Sequence, residues 1–262
     1  MLPAKSKQPV VLALSAHDPS GAAGIQADME TVNHYRYHCI SVITALTAQN
    51  TGKFDSILPQ NPMVFSRQAE LLLDDIKIDA CKIGLIGSDL LIHEISDILG
   101  NLNNVPVVLD PVLHSGTGSN LSSEDIVTAL CEKLLPKVTV LTPNIKEALT
   151  ISGRSNPADS AAVLLENGCK NVLITGADQS SDNVINVLYS QDHDPIEYVW
   201  AKLEGSYHGS GCTLASALIC ELIGNKDVPS SVQRAQEYTI KTLTHAVQLG
   251  NSQFHPQRQQ DN

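Results

Sequence analysis

The sequence is poor in several residue types that would assign it to a common class of protein. Aromatic side chains make up only 4% of its 262 residues, and Lys and Arg together number 17 against 28 Asp and Glu. The resulting formal net charge of −11 argues against nucleic acid as a partner, because a phosphate backbone attracts basic surfaces. Any phosphate-bearing ligand must then be held by local features of the fold.

Long apolar runs and paired cysteines are lacking as well. No apolar run approaches the roughly 20 residues that a membrane span needs, so no membrane partner is expected. The six cysteines form no C-x-x-C pair, which is typical of reduced thiols in a cytoplasmic protein. The polar residues before Pro9 lead into a strand-like run rather than into the apolar core of a signal peptide. We therefore expect a cytoplasmic protein.

Several familiar motifs are also missing. The chain contains neither a P-loop nor G-x-G-x-x-G, the two common glycine-rich nucleotide loops. Its nine histidines form no H-E-x-x-H and no Cys/His cluster of zinc spacing, so a structural metal is not expected. The function must rest on some other arrangement of residues.

Short apolar runs alternate with amphipathic segments along most of the chain. The runs cover 9–16, 41–49, 80–87, 106–113, 138–143 and 171–177, and the helical patterns cover 25–35, 62–75, 89–99, 122–135, 145–151 and 156–166. This alternation predicts one α/β domain over 1–262, with a mostly parallel sheet and helices on both faces. Strands at 183–190 and 196–203 predict an antiparallel hairpin, and helices at about 212–223 and 228–249 follow. The polar tails, 1–8 and 254–262, are expected to fray.

Polar residues follow the predicted strands at their carboxyl ends. They are His17-Asp18, Gln49-Asn50, Asp110, Asn144 and Thr175. In open α/β sheets the carboxyl ends of the strands form the ligand-binding edge. We therefore predict a pocket at that edge.

The stretch "HGSGCTLASA" (208–217) brings bare backbone to the start of a predicted helix. Gly209, Ser210, Gly211 and Cys212 present successive amides at the positive end of the helix dipole, which suits a phosphoryl group or the charge that develops in its transfer. One alternative is an ordinary helix start. Another is a thiol enzyme, in which the helix end lowers the pKa of Cys212 and His208 lies nearby.

Other polar residues allow both a structural and a functional interpretation. Asp28, one turn into its helix, either complements the helix dipole or hydrogen-bonds a ligand. Gln49 is either exposed or suited to the edge of a heterocycle. Asn144 and Glu147 have the spacing of a capping box, or lie near Mg²⁺-bound water. Asp110, within an apolar run, needs a partner, which favours a metal or phosphate role.

Six motifs together resemble those of a known family. They are "DPSGAAGIQAD" (18–28), "SVITALTAQNT" (41–51), "KIGLIG" (82–87), "LDPV" (109–112), "LTPNIKEA" (141–148) and "HGSGCTLASA" (208–217). In this order they resemble the ribokinase-like superfamily, and within it the hydroxymethylpyrimidine/phosphomethylpyrimidine kinases of thiamine biosynthesis. The resemblance implies a three-layer α/β/α sandwich and a homodimer. It also implies transfer of the ATP γ-phosphoryl group, with Mg²⁺, to an aminopyrimidine and then to its monophosphate.

The resemblance also implies roles for particular residues. Asp28 and Gln49 would hold the pyrimidine, with Ala16 and Val112 lining its site. Asp110 and Glu147 would organise Mg²⁺, and Asn144, Thr175 and Gly176 would lie at the nucleotide phosphates. The residues from Gly209 to Cys212 would form the anion hole, with Cys212 as a weak base or as one member of the hole.

The sequence departs from the family pattern at three places. It has Ala16-His17-Asp18 for Gly-Ser/Thr-Asp, Thr175-Gly176-Ala177-Asp178 for Lys-Gly-Gly-His, and His114-Ser115-Gly116-Thr117-Gly118 for a segment with Lys-Ser-Gly. Two lysines expected near the nucleotide phosphates are thus absent, and Lys146 is a candidate replacement. Two alternative functions stay open: a pyridoxal kinase, and a pyrimidine-binding protein that does not transfer phosphate.

Overall fold

The computed structural model describes residues 8–102, 104–114, 121, 123–176, 182–191, 193–224 and 227–259. Its strands are β1 (Val10–His17), β2 (His38–Gln49), β3 (Phe54–Pro59), β4 (Ala80–Ile83), β5 (Val107–Leu109), β6 (Val140–Leu141), β7 (Asn171–Ile174), β8 (Asn183–Ser190) and β9 (Ile196–Ala201). Its helices are α1 (Gly24–His34), α2 (Pro62–Asp75), α3 (Asp89–Asn101), α4 (Glu124–Ala129), α5 (Ile145–Ser152), α6 (Pro157–Glu166), α7 (Ser210–Ile223) and α8 (Val228–Thr244). A π turn (Leu130–Leu134) and a 3₁₀ turn (Leu135–Lys137) continue α4.

The nine strands form one sheet in the order β3-β2-β1-β4-β5-β6-β7-β8-β9. The strands from β2 to β7 in that order pair in parallel, and β3, β8 and β9 are antiparallel to their neighbours. The carboxyl ends of β1, β2, β4 and β5 consequently meet at one edge, which is the edge predicted to bind a ligand.

Two apolar cores lie on opposite faces of the sheet, which makes the fold a three-layer α/β/α sandwich. Leu12 and Leu14 of β1 face one core with α2 to α6, and Val11, the residue before Leu12, faces the other with α1, α7 and α8. Both faces of the central strands are therefore buried, as their nearly continuous apolar sequence predicts.

Three features of the chain differ from the sequence-based expectation. The strand β3 was not predicted, because half of its six residues are exposed and no apolar run marks it. The predicted strands at 80–87, 106–113 and 138–143 are shorter in the structure. The last helix ends at Thr244 rather than 249, because the chain turns back there and Val247 pairs with His255.

The expectation of a frayed C-terminal tail is wrong for residues 254–259. The Phe254 amide donates to the Ser206 carbonyl (2.8 Å), and Arg258 is only 2% exposed. Polar composition suggested fraying, but hydrogen bonds with 206–208 and with α8 hold this segment. Residues 1–7 and 260–262 lie outside the described part of the chain. Within that part, no helix has the length and apolar character needed to cross a membrane.

Candidate active site

A pocket lies at the carboxyl edge of the sheet, between the ends of β1 and β2 and the start of α7. Four of the predicted site residues line it: Ala16, Gln49, Val112 and Cys212. They are joined by Asp18 and His208, which the sequence placed near the site, and by residues that it did not single out, among them Thr47, Phe54 and Leu121. Segments more than 150 residues apart in the sequence thus meet around one cavity.

The first turn of α7 presents its amides without a side-chain cap. Gly209 is the N-cap residue, with a φ of +83°, and no side chain in the described part of the chain accepts a hydrogen bond at this end. The first amides of a helix have no acceptor within the helix, so they can donate hydrogen bonds to a ligand. A Cβ on Gly211 would lie 3.7 and 3.8 Å from the two Asp110 carboxylate oxygens. The anion-binding end predicted from the sequence therefore faces the acid at the end of β5.

The Cys212 side chain is a protonated thiol in this environment. Burial raises its pKa to about 12, and although Lys82 and the Gly24 amide favour the thiolate, Asp110 and Asp28 oppose it. The thiol donates a hydrogen bond to Asp110. The interpretation of Cys212 as a thiolate activated by the helix end is therefore wrong, because desolvation and two nearby carboxyl groups outweigh the helix dipole.

Asp110 directly follows β5 and is 5% exposed. Burial raises the pKa of its carboxyl, and Asp28 acts in the same direction, while Lys82 and the Cys212 hydrogen bond oppose the shift. Among the described residues, its Oδ2 has no hydrogen-bond partner. A buried carboxylate oxygen with no partner is costly, so this position suits a cation or another ligand.

Asp28 lies beneath the pocket and is not among the residues that line it. Its side chain is 0% exposed; its Oδ1 lies 2.8 Å from the Lys82 Nζ and accepts a hydrogen bond from the Ser216 hydroxyl at 2.8 Å. Burial alone would lower the pKa of Lys82, but the Asp28 carboxylate, assisted by Cys212 and Asp110, holds it above its usual value. This geometry gives Asp28 a buried ion pair rather than a pyrimidine contact, although its Oδ2 has no partner among the described residues.

The capping-box interpretation of Asn144 and Glu147 is confirmed. The Asn144 side chain accepts from the Glu147 amide at 2.8 Å, and Glu147 Oε2 accepts from the Asn144 amide at 3.0 Å. Glu147 Oε1 also accepts from the Leu113 amide, which joins this helix start to the loop after β5. Both carboxylate oxygens of Glu147 are thus engaged with backbone, which favours a positioning role over direct metal ligation.

Thr175 and Gly176 follow β7, where nucleotide phosphates were expected. Thr175 pairs with Asn144 in a parallel bridge, so the two predicted phosphate residues are neighbours. The Gly176 amide donates to Asn186 Oδ1 at 2.9 Å, and a Cβ on Gly176 would overlap the Ile185 carbonyl. Of the positions at which the sequence differs from the pattern of the family it resembles, Ser115–Gly118, Ala177 and Asp178 lie outside the described residues.

A buried polar cluster fixes the loop after β1 to the start of α7. The Asp18 carboxylate lies 2.9 Å from His208 Nε2 and accepts hydrogen bonds from the amides of Ser20 and Ala23. Burial alone would raise the pKa of Asp18, but His208 and the Ser20 hydrogen bonds outweigh it and lower the pKa to about 2. Asp18 is therefore ionised at neutral pH.

Removing the Asp18 charge should destabilise the protein in a pH-dependent way. The folded pKa lies below the 3.8 of an unperturbed carboxyl, so the stabilisation is complete above pH 4 and is lost as the pH falls towards 2. We expect the difference in unfolding free energy between wild type and Asp18→Asn to shrink by about 2 kcal/mol between pH 6 and pH 2. Urea unfolding of both proteins at the two pH values measures it; a difference that does not change with pH would contradict the prediction.

The fold agrees with solved structures of kinases. The ADP complex of Staphylococcus aureus pyridoxal kinase superposes with a TM-score of 0.88 at 25% identity, over 97% of this chain and 94% of that one. A phosphomethylpyrimidine kinase from Clostridium difficile superposes with a TM-score of 0.77 at 32% identity, over 90% of this chain and 100% of that one. The chain therefore has the ribokinase-like fold of these kinases.

Sequence comparison narrows the class to one family. The model of the phosphomethylpyrimidine kinase family matches residues 18–257, and the chain belongs to that family. It is 33% identical over 250 residues to the hydroxymethylpyrimidine/phosphomethylpyrimidine kinase of Haemophilus influenzae, covering 92% of this chain and 93% of that protein. It is 32% identical to a putative kinase of the same name from Schizosaccharomyces pombe, over 93% of this chain but only 48% of the relative. The chain thus spans about half the length of the fungal relative and nearly all of the bacterial one.

Proposed function

We propose that this chain transfers the γ-phosphoryl group of ATP to the hydroxymethyl group of 4-amino-5-hydroxymethyl-2-methylpyrimidine, and then phosphorylates the monophosphate to the diphosphate. The observation that carries the proposal is the uncapped start of α7, which faces a pocket lined by Gln49 and Val112. Gln49 can donate to and accept from the edge of a heterocycle, and its amide nitrogen is held by the Thr47 hydroxyl at 3.0 Å. Phosphoryl transfer depends mostly on positioning and on charge stabilisation, which this arrangement supplies.

Asp110 is the residue best suited to hold Mg²⁺. Its Oδ2 is buried and has no hydrogen-bond partner among the described residues, whereas Glu147 binds the backbone. No group of three His, Cys, Asp or Glu able to hold a metal occurs in the described part of the chain. Mg²⁺ commonly uses one or two carboxylates together with water and substrate phosphates, so a single acid beside the anion hole fits. When bound, the ion would neutralise charge on the phosphates.

The pyridoxal kinase alternative is favoured by one observation. The pyridoxal kinase of Staphylococcus aureus has the higher TM-score of the two solved structures, although its identity to this chain is lower. Both substrates are flat heterocycles that carry a hydroxymethyl group, so the same anion hole and acid would serve either of them.

A substrate panel tests the proposal. Purified protein with Mg-ATP should release ADP faster with hydroxymethylpyrimidine and with its monophosphate than with pyridoxal. Preferential turnover of pyridoxal would support the alternative kinase. Stoichiometric binding of the pyrimidine without ADP release would identify a binding protein. Sedimentation of the same sample tests the homodimer that the family resemblance implies.

Replacing Cys212 by serine should cause only a modest loss of activity. A protonated thiol that donates to Asp110 cannot take the substrate proton until its own proton has moved. A serine hydroxyl can make the same hydrogen bond, so we expect kcat to fall about 10-fold or less, which is small beside the effect of losing an anion-hole donor. A loss of about 1,000-fold would instead identify Cys212 as an essential base.

A further inference from the structure

The C-terminal segment, residues 254–259, runs beside the start of α7. The Phe254 carbonyl accepts from the His208 amide at 2.9 Å, one residue before the N-cap Gly209. The Gln257 amide donates to the Thr242 carbonyl at 3.0 Å, and the Tyr238 hydroxyl donates to the Arg258 carbonyl at 3.0 Å. These hydrogen bonds attach the segment to α8 and to the residue just before the N-cap of α7. The backbone of Arg258 is therefore held in place.

The Arg258 guanidinium is buried and fully engaged. Its side chain is 1% exposed; Nε donates to the Thr213 hydroxyl at 2.9 Å, Nη1 donates to Glu30 Oε2 at 3.1 Å, and Nη2 donates to the Ala22 carbonyl. Burying a guanidinium is costly unless its charge and its donors are satisfied, as they are here. None of its three partners belongs to the C-terminal segment: Thr213 lies in α7, Glu30 in α1 and Ala22 in the loop after β1.

Two of those partners, Thr213 and Ala22, connect Arg258 to Gly209, the first residue of the proposed anion hole. The Thr213 hydroxyl, which accepts from Nε, donates to the Gly209 carbonyl at 2.8 Å. A Cβ on Gly209 would overlap the Ala22 carbonyl and lie 2.8 Å from Arg258 Nη2. The loop after β1, the first turn of α7 and the guanidinium thus converge on Gly209.

The charge of Arg258 differs in its surroundings from that of Lys82. Lys82 is paired with the fully buried Asp28. The partner of Arg258, Glu30, is 39% exposed, so solvent screens its negative charge more than it screens the buried guanidinium. An arginine also stays charged in proteins. A fixed positive charge therefore lies behind the amides of α7, in a chain that lacks two lysines expected for the phosphates.

We propose that Arg258 is a positioning residue for phosphoryl transfer: it clamps the first turn of α7 to the loop after β1 and keeps a positive charge behind the amides of the anion hole. This inference rests on the proposed function. Arg258 does not touch the ligand, since it lies under the backbone that does. Its effect should appear in kcat more than in the KM for the pyrimidine, because its side chain contacts Thr213, Glu30 and Ala22 and neither Gln49 nor Val112.

The test is chemical rescue of Arg258→Gly. We expect kcat to fall about 100-fold, the usual cost of a misplaced reacting group, while the KM for hydroxymethylpyrimidine changes by less than about 3-fold. Millimolar ethylguanidine should restore kcat about 10-fold, ethylamine less, and neutral ethylurea not at all, since only the first has both the charge and the planar donors. Arg67→Gln, which removes an exposed arginine paired with Glu70 at 3.1 Å, is the matched control and should respond to none of them.

A purely structural role predicts a different pattern. In that case ethylguanidine would raise the melting temperature without raising the kcat of the folded fraction, and this result would overturn the proposal, as would wild-type kcat in folded Arg258→Gly. If the glycine variant does not fold, Arg258→Lys replaces it in the test, because lysine keeps the charge but lacks the planar set of N–H donors. A kcat in that variant equal to wild type would also overturn the proposal.

Calorimetry with inorganic pyrophosphate separates this inference from the proposed function. Wild type should bind pyrophosphate about 10-fold more tightly than Arg258→Gly, and ethylguanidine should restore the difference. That result stands even if the wild-type protein phosphorylates neither the pyrimidine nor pyridoxal. Equal binding by the two proteins, with normal turnover by wild type, would reject the role of Arg258 and leave the kinase assignment intact.

Discussion

Gly211→Val should abolish nearly all phosphoryl transfer while leaving the protein folded. Among the described residues, a valine Cβ at this position meets the two Asp110 oxygens alone, at 3.7 and 3.8 Å, which is ordinary contact distance. Valine is also tolerated within a helix, so the free energy of unfolding should change by less than about 1 kcal/mol. The side chain would however cover the free amides and separate them from Asp110. We expect kcat to fall about 1,000-fold, at the upper end of the cost of losing one anion-hole donor.

Two comparisons make this result specific. Gly211→Ala, with a smaller side chain, should lose less activity than the valine variant, since it shields the amides less. Gly100→Val is the control, because Gly100 lies in α3 on the surface and a Cβ there would meet only the Lys137 Nζ at 3.8 Å. The measurement is ADP release under saturating Mg-ATP. Activity of Gly211→Val within about 3-fold of wild type would remove the start of α7 from the reaction, since even one lost donor costs far more.

Lys82→Met should be the most destabilising of the single substitutions considered. It would leave the Asp28 carboxylate without its cation at a position that is 0% exposed. Removing one partner of a buried ion pair costs about 3–5 kcal/mol, because the remaining charge is neither solvated nor paired. Urea unfolding followed by circular dichroism should show this loss, and the protein should be hard to keep folded at 37 °C.

Substituting both members of the Asp28–Lys82 ion pair provides the control. Replacing both residues, as in Asp28→Asn with Lys82→Met, removes both charges and should recover most of the stability. Lys53→Met breaks an exposed pair of similar length (2.7 Å, with side chains 72% and 59% exposed) and should leave the free energy of unfolding nearly unchanged, because solvent screens both charges. A loss in Lys82→Met no larger than in Lys53→Met would contradict the prediction. The double variant also tests Asp28 directly, since an unchanged pyrimidine KM would show that Asp28 makes no essential contact.

The fold was largely predictable because the chain alternates short apolar strands with amphipathic helices. The same alternation placed Gln49, Asp110 and the start of α7 at one edge of the sheet, since the direction of parallel strands determines where their ends lie. The direction in which individual side chains point was harder to predict from the sequence. Asp28 was expected at the pocket, but the face of α1 that carries Ala27, Asp28 and Thr31 packs inward.

The main residues that the sequence-based prediction missed are two buried cations near the site, Lys82 and Arg258. Lys82 stands alone in the run "ACKIGLIG", and a lone lysine in an apolar strand was a signal that a buried carboxylate must be near. Arg258 gave no such signal, because its neighbours are polar and its partners, Ala22 and Thr213, are 236 and 45 residues away in the sequence. Local composition cannot reveal contacts of that range.

The distances along the chain between these partners have a consequence for biosynthesis. Asp28 meets Ser216 across 188 residues, and Arg258 meets Ala22 across 236. A polypeptide emerging from the ribosome can therefore fold much of its sheet early. The start of α7, which we propose to bind phosphate, is completed only when the last helices and the residues after them are released. Translation that stops before residue 258 should leave a protein with most of its architecture and little capacity for turnover.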